Sequence, residues 1–216
     1  MVELLKMPGV TYCEFKKGST IIQQDEKVEY VYYLTGGTCY RMKITEKGDE
    51  IIFGIKEPNQ RIYSLIGVLV VFGDGFTDSR FVAKTTCYCY KIPKKVLLHY
   101  ISDKPDILMQ LLKMAMMEYR RLSLMFQARQ KGKIGNWFCA LLLAGAKDIN
   151  GKLWANKAYS NNAEVSRLLG IHKVTVAKII KKLKEDGIIN KCKEGIEIID
   201  QEQLMNYANF ECNLKY

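Results

Sequence analysis

The sequence predicts an α+β protein made of an antiparallel β domain, one long helix and a C-terminal winged helix-turn-helix. Three observations carry this. Short β-rich runs separated by glycine-containing turns fill residues 11–92. Apolar residues then recur at alternating steps of four and three from Leu108 to Phe126, and residues 161–183 satisfy each restricted position of a helix-turn-helix. The 216 residues suit two domains and a connecting element, with boundaries expected at 1–101, 102–131 and 132–216.

The β-rich runs include Thr20 to Ile22, Tyr30 to Leu34, Cys39 to Ile44 and Ile51 to Ile55, spaced as in an antiparallel barrel or sandwich. Lys47-Gly48-Asp49 reads as a hairpin, and Gly36-Gly37 and Gly73-Asp74-Gly75 as further turns. Helical periodicity follows. Ser102 or Asp103 can cap a helix whose first turn accepts Pro105, where proline's missing N–H is not needed.

Along that helix Leu108, Leu112, Ala115, Tyr119, Leu122 and Phe126 form a heptad-spaced seam. Running to about Lys131, the helix would be about 39 Å long at ~1.5 Å per residue. A seam of this kind needs a partner helix, so the element is expected to be the axis of a homodimer. Ile107, Leu111, Met114, Leu124 and Met125 make a second apolar face, and packing within the chain is the competing reading.

Next come a helix around Trp137 to Ala144, a loop with Asn150-Gly151, and two closely spaced helices. Asn161 with Glu164 three residues later makes a capping pair. Ser166 is small where two helices cross closely, and Gly170 supplies the permissive backbone of the turn. Val176, Ile179, Ile180 and Leu183 form the buried stripe of the second helix, while Lys173, Val174, Ala177, Lys178 and Lys181 face outward. Gly187 ends this helix, and Ile188-Ile189, a turn at Lys193-Glu194-Gly195 and Ile196 to Ile199 form a wing. The net charge of +10 is concentrated here: residues 131–193 hold 13 Lys/Arg against 4 Asp/Glu, or +9. Such a footprint suits double-stranded DNA. The candidate DNA-contacting residues are His172, Lys173, Val174, Thr175, Ala177, Lys178, Lys181 and Lys182.

Other classes fit less well. With 48% hydrophobic and 26% charged residues, no membrane-length apolar run and no signal-like N-terminus, the chain is expected to be cytoplasmic and not membrane-bound. The seven cysteines (13, 39, 87, 89, 139, 192 and 212) contain no Cys-x-x-Cys pair, so neither a disulfide framework nor a zinc module is expected. An enzyme is not expected either: the two histidines are His99 and His172, residues 1–98 have none for a metal site, and no nucleophile–base constellation is visible. No cofactor is expected. Cys87-x-Cys89 puts two thiols on one strand face, which leaves a redox- or metal-responsive regulator as one alternative and a ligand-binding signalling module without DNA as another.

Glu164-Val165-Ser166-Arg167-Leu168-Leu169-Gly170, Thr175 to Leu183 and Gly187-Ile188-Ile189 resemble the Crp/Fnr superfamily of bacterial transcription factors. The resemblance covers nearly the whole chain. It implies an N-terminal β-roll of the cyclic-nucleotide-binding type, a dimerising helix and a winged helix. Ser64-Leu65-Ile66-Gly67 and Gly170 to Val176 are similar to the CprK-type regulators of halorespiration, which respond to chlorinated phenols.

The departures are informative. Where the superfamily's recognition helix usually carries Glu, then Ser or Gly, then Arg, this chain has Val174, Ala177 and Lys178. Losing the glutamate removes an acceptor for a cytosine amino group, whereas Val174 can pack on a thymine methyl, so an A/T-rich inverted repeat is expected. In the sensor, the resemblance puts Ser64 to Gly67 at the phosphate-binding Gly-Glu pair and Thr77 at the arginine position, so the effector is expected not to be a cyclic nucleotide. Arg80 lies three residues on, which puts it on the other face of an extended strand. A small organic effector, such as an aromatic or chlorinated phenolic compound, is expected instead between the roll and the long helix. Tyr63, Ser64, Leu65, Ile66, Gly67, Tyr119 and Leu122 are the candidates to contact it.

Overall fold

The computed structural model describes residues 2–46, 48, 50–58 and 64–216. It divides into two compact units, residues 1–119 and 120–216. The predicted hairpin residues Lys47 and Asp49 and the effector candidate Tyr63 lie outside the described residues.

The first unit begins with a short helix, α1 (Val2–Leu5). Among the described residues eight strands follow: β1 (Thr11–Phe15), β2 (Thr20–Ile22), β3 (Tyr30–Gly36), β4 (Cys39–Ile44), β5 (Glu50–Lys56), β6 (Leu65–Ile66), β7 (Arg80–Ala83) and β8 (Cys87–Pro93). They form two four-stranded sheets, ordered β1-β8-β3-β6 and β2-β7-β4-β5, and every strand pair in both is antiparallel. Period-two alternation is clearest in β7 and at the start of β8. In β8, Cys87 and Cys89 are buried while Tyr88 is exposed, and in β7 Phe81 and Ala83 are buried. Val31, Leu34, Ile66, Phe81 and Ile92 sit in the shared core. At the Gly36-Gly37 turn, Gly37 adopts φ +88°, and a Cβ there would collide with the Thr86 carbonyl. Only glycine fits that backbone.

After α2 (Lys94–Ile101), the long helix α3 runs from Pro105 to Gln130, 26 residues. Ser102 does not cap it: its hydroxyl donates to the His99 carbonyl at 2.8 Å, at the end of α2. The two apolar faces of α3 have different fates. Leu111 and Met114 are buried in the core of the β unit and Ile107 packs against it. The heptad-spaced face stays in water, with Leu112 55%, Tyr119 67% and Phe126 62% exposed and Leu108 and Leu122 also solvent-facing.

The second unit holds α4 (Ile134–Ala144), β9 (Lys147–Ile149), β10 (Lys152–Trp154), α5 (Asn162–Leu169), α6 (Lys173–Glu185), β11 (Ile189–Lys191), β12 (Ile196–Ile198) and α7 (Gln201–Ala208). The wing strands β11 and β12 join β10 and β9 in one sheet, ordered β11-β12-β10-β9. The loop expected at Asn150-Gly151 is the turn of a hairpin formed by β9 and β10. Its turn places both Asn150 (φ 55°) and Gly151 (φ 75°) in the left-handed region, as a two-residue turn matched to strand twist requires. The C-terminal helix α7 was not anticipated. Asp200 caps it by accepting from the Gln203 amide at 2.8 Å. Buried Asn136 of α4 anchors the segment after it. Its side-chain amide donates to the Tyr207 and Cys212 carbonyls, and its Oδ1 accepts from the Leu214 amide. Among the described residues no helix is long and apolar enough to cross a membrane.

Candidate nucleic-acid interface

The interface is built from the start of α5. Asn161 precedes the helix in extended conformation, and its side-chain oxygen accepts from the Ala163 and Glu164 amides, which would otherwise be orphaned. Val165, Leu168 and Leu169 bury one side of α5, and the helix stops at Gly170, φ 63°. A side chain at Gly170 would meet strain from that φ and would run into the Arg129 guanidinium. Ser166 does more than stay small. Its hydroxyl donates to the Ile171 carbonyl at 2.6 Å, while its own carbonyl accepts from the Ile171 amide, so it ties the turn to the helix. Arg129, near the end of α3, donates to the Leu169 carbonyl at 2.9 Å and caps the last turn of α5. No local sequence pattern signals that bond, because 40 residues separate its partners.

His172, in extended conformation, leads into α6. Val176, Ile179, Ile180 and Leu183 are buried, as their spacing demands. The helix ends in a Schellman cap: the Ile188 amide donates to the Leu183 carbonyl and the Gly187 amide to that of Lys184, with Gly187 at φ 71°. Burial of that apolar stripe, not the cap, fixes the rotation of α6. His172, Lys173, Val174, Ala177, Lys178 and Lys181 are exposed, and Thr175 and Lys182 are half-buried. Val174 is 66% exposed, which for a β-branched apolar side chain invites an apolar contact from outside. Two lysines carry internal partners, Lys181 with Glu185 at 3.6 Å and Lys182 with Asp186 at 2.6 Å. Lys178 has no ion pair among the described residues. The outward face therefore offers one apolar reader among cations, the chemistry of base edges flanked by phosphates.

The sensor segment has a different character. Ser64, Leu65 and Ile66 are all buried, and β6 pairs Leu65 with Tyr33 and Ile66 with Tyr32. Leu65 and Ile66 are core residues, which sequence alone did not distinguish from pocket-facing ones. Gly67, at φ 80°, turns the chain, and Tyr119 and Leu122 are exposed on α3. Thr77, at the position compared with an arginine, is buried and turned onto its neighbour, donating to the Ser79 carbonyl at 2.8 Å. Arg80 is committed to Glu50 at 2.7 Å. From residue 64 to 79 the charged side chains are Asp74 and Asp78, the latter paired with Arg41 at 3.3 Å, so the segment itself offers a phosphate no cation. Cys87 and Cys89 are both buried. Burial raises the Cys87 thiol pKa, and burial followed by the nearby Cys13 and Cys87 pushes Cys89 up to about 12, so reactive thiolate is scarce. Among the described residues no group of three or more His, Cys, Asp or Glu could hold a metal ion.

Comparison with known proteins agrees with this architecture. Residues 12–104 match the cyclic nucleotide-binding domain family and residues 137–207 the Crp-like helix-turn-helix domain family. The cAMP-activated global transcriptional regulator CRP of Escherichia coli O6:H1 is 29% identical over 202 residues, covering 84% of this chain and 87% of that protein. A Crp/Fnr-family transcriptional regulator from Thermus thermophilus superposes with a TM-score of 0.66 at 21% identity, covering 92% of this chain and 98% of that one. OCPA-complexed CprK gives a TM-score of 0.65 at 18% identity, covering 89% of this chain and 88% of that one, a likeness of fold. With a β sensor fold joined through a long helix to a capped, cation-faced helix-turn-helix, the chain belongs to the Crp/Fnr family of DNA-binding transcriptional regulators.

Proposed function

We propose that the protein works in the cytoplasm as a homodimer that reads an A/T-rich inverted repeat through the outward face of α6, under control of a small organic effector that is not a cyclic nucleotide. The observation that carries the DNA reading is the fixed rotation of α6, with Val174 exposed among Lys173, Lys178 and Lys181. The dimer is supported by the row of exposed apolar side chains on α3, since Leu112, Tyr119 and Phe126 on one stripe leave water only against a second apolar surface. Light scattering at micromolar concentration, paired with a heparin-competed gel shift on duplex DNA, tests both. A dimer that retards DNA is expected. A monomer would contradict the assembly, and no retardation would contradict the DNA reading.

For the effector, the buried Thr77, the Arg80–Glu50 pair and the lack of any Lys or Arg from residue 64 to 79 argue against a phosphate ligand. An aromatic or chlorinated phenolic compound is our proposal, with the segment Ser64 to Gly67 as the part of the β unit that responds. The likeness of Ser64-Leu65-Ile66-Gly67 to CprK-type regulators supports it. Calorimetry should show no binding of cyclic AMP or cyclic GMP, and a chlorinated hydroxyaromatic acid should bind. Micromolar cyclic-nucleotide binding would overturn the first half, and a blank phenol titration the second.

A further inference from the structure

Beside the reading face of α6 lies an open groove of about 410 Å³, lined by Asn162, Ala177, Lys181, Lys184, Glu185 and Lys191 among others. Three elements meet there: the start of α5, the outer half of α6 and the first wing strand. We propose that this groove is a backbone-phosphate site, in which Lys184 and Lys191 clasp one phosphodiester of the DNA alongside the base pairs that α6 reads. The proposal rests on the DNA-binding reading above and adds a contact that the recognition-helix pattern does not contain.

The geometry favours an anion. Lys191 Nζ donates to Asn162 Oδ1 at 2.7 Å, which holds the ammonium at the groove instead of letting it range through solvent. Lys184 and Lys191 have no carboxylate partner among the described residues, and the nearby Glu185 is engaged by Lys181 at 3.6 Å. Burial, and then the charge of Lys184, lower the proton affinity of Lys191. The lining thus holds three lysines against the single carboxylate of Glu185, which Lys181 engages, and a phosphate would offset the excess positive charge. The start of α5 adds its partial positive charge to the same wall. A DNA strand fits better than a free anion because Ala177 and Lys181 belong both to the groove and to the outward face of α6, so one strand can pass from one to the other.

The test measures affinity of the full-length protein against salt, on a selected inverted repeat and on a scrambled duplex. Lys184→Gln with Lys191→Gln should weaken both complexes by the same factor, because a phosphate carries no sequence information. The slope of log affinity against log salt should become shallower by about one unit per half-site. Lys191→Arg should retain most of the wild-type slope. Lys184→Gln alone keeps the Lys191–Asn162 bond and must still weaken both complexes; if it does not, Lys191 is only a structural clip and the proposal fails. A double variant with the wild-type slope would also overturn it. Wild-type protein that retains no duplex at all would instead bring down the DNA-binding reading. Saturable binding of inorganic phosphate that Lys184→Gln abolishes, with DNA affinity unchanged, would mean a free-anion site and would overturn the assignment to DNA.

Discussion

Two helices of this protein, α3 and α6, solve the same problem on one side and opposite problems on the other. Each buries a stripe: Leu111 and Met114 of α3 enter the core of the β unit, and Val176, Ile179, Ile180 and Leu183 of α6 hold the helix-turn-helix together. Their free faces then diverge. That of α3 is apolar, with Leu112, Met116, Tyr119 and Phe126 in water, whereas that of α6 is cationic around a single exposed valine. Amphipathicity alone says that a helix packs on something, and the chemistry of the face left over says what it still lacks. An apolar remainder calls for another apolar surface, and a cationic remainder calls for a polyanion.

Substitutions can separate these roles. The largest effect is expected from Leu122→Glu, which puts a carboxylate into the proposed seam at a cost on the order of 3–5 kcal/mol to association. The protein should become monomeric by light scattering and lose operator binding, while the β unit keeps its fold by circular dichroism. A dimer that survives would move the interface off this stripe. Leu183→Ala, at a side chain with no exposure, should cost about 2–5 kcal/mol of stability in the C-terminal unit by denaturant titration and leave dimerisation intact. Val174→Glu should shift preference toward a C·G pair by about 1–3 kcal/mol per half-site, read by selection from a random pool. An unchanged consensus would mean that Val174 does not face the bases. Asn161→Ala should cost about 1 kcal/mol, because two amides at the start of α5 lose their acceptor. The smallest expected effects are in salt dependence. Lys181→Gln should make the slope shallower by about one unit per half-site, and Lys182→Gln by less, because Lys182 is already held by Asp186 at 2.6 Å.

What could be read from sequence follows from how local each signal is. The helix-turn-helix was legible because the Asn161 cap, the left-handed Gly170 and the stripe of α6 each depend on residues within a turn or two. The β9–β10 hairpin was not, because its strands are three residues each and every residue of β9 is exposed, so no alternation marks it beyond the Asn-Gly turn. Helix α7 was missed although Asp200 is a good cap, since its only buried residue is Leu204. Long-range contacts were invisible for the same reason: Arg129 capping Leu169, and Asn136 holding the tail at Cys212 and Leu214, join residues 40 to 78 positions apart. Leu65 and Ile66 show a further limit. A two-residue strand buried in a core and a segment lining a pocket have the same apolar composition, and only the register against Tyr32 and Tyr33 separates them.

The central claim is that the outward face of α6, doubled by the seam of α3, reads DNA. Selection of duplexes from a random pool by the wild-type protein tests it most directly. The account predicts an inverted repeat with A/T-rich half-sites whose centres lie about one helical turn, ~10 bp, apart. Enrichment of an unsymmetric site, or none above the starting pool, would contradict it.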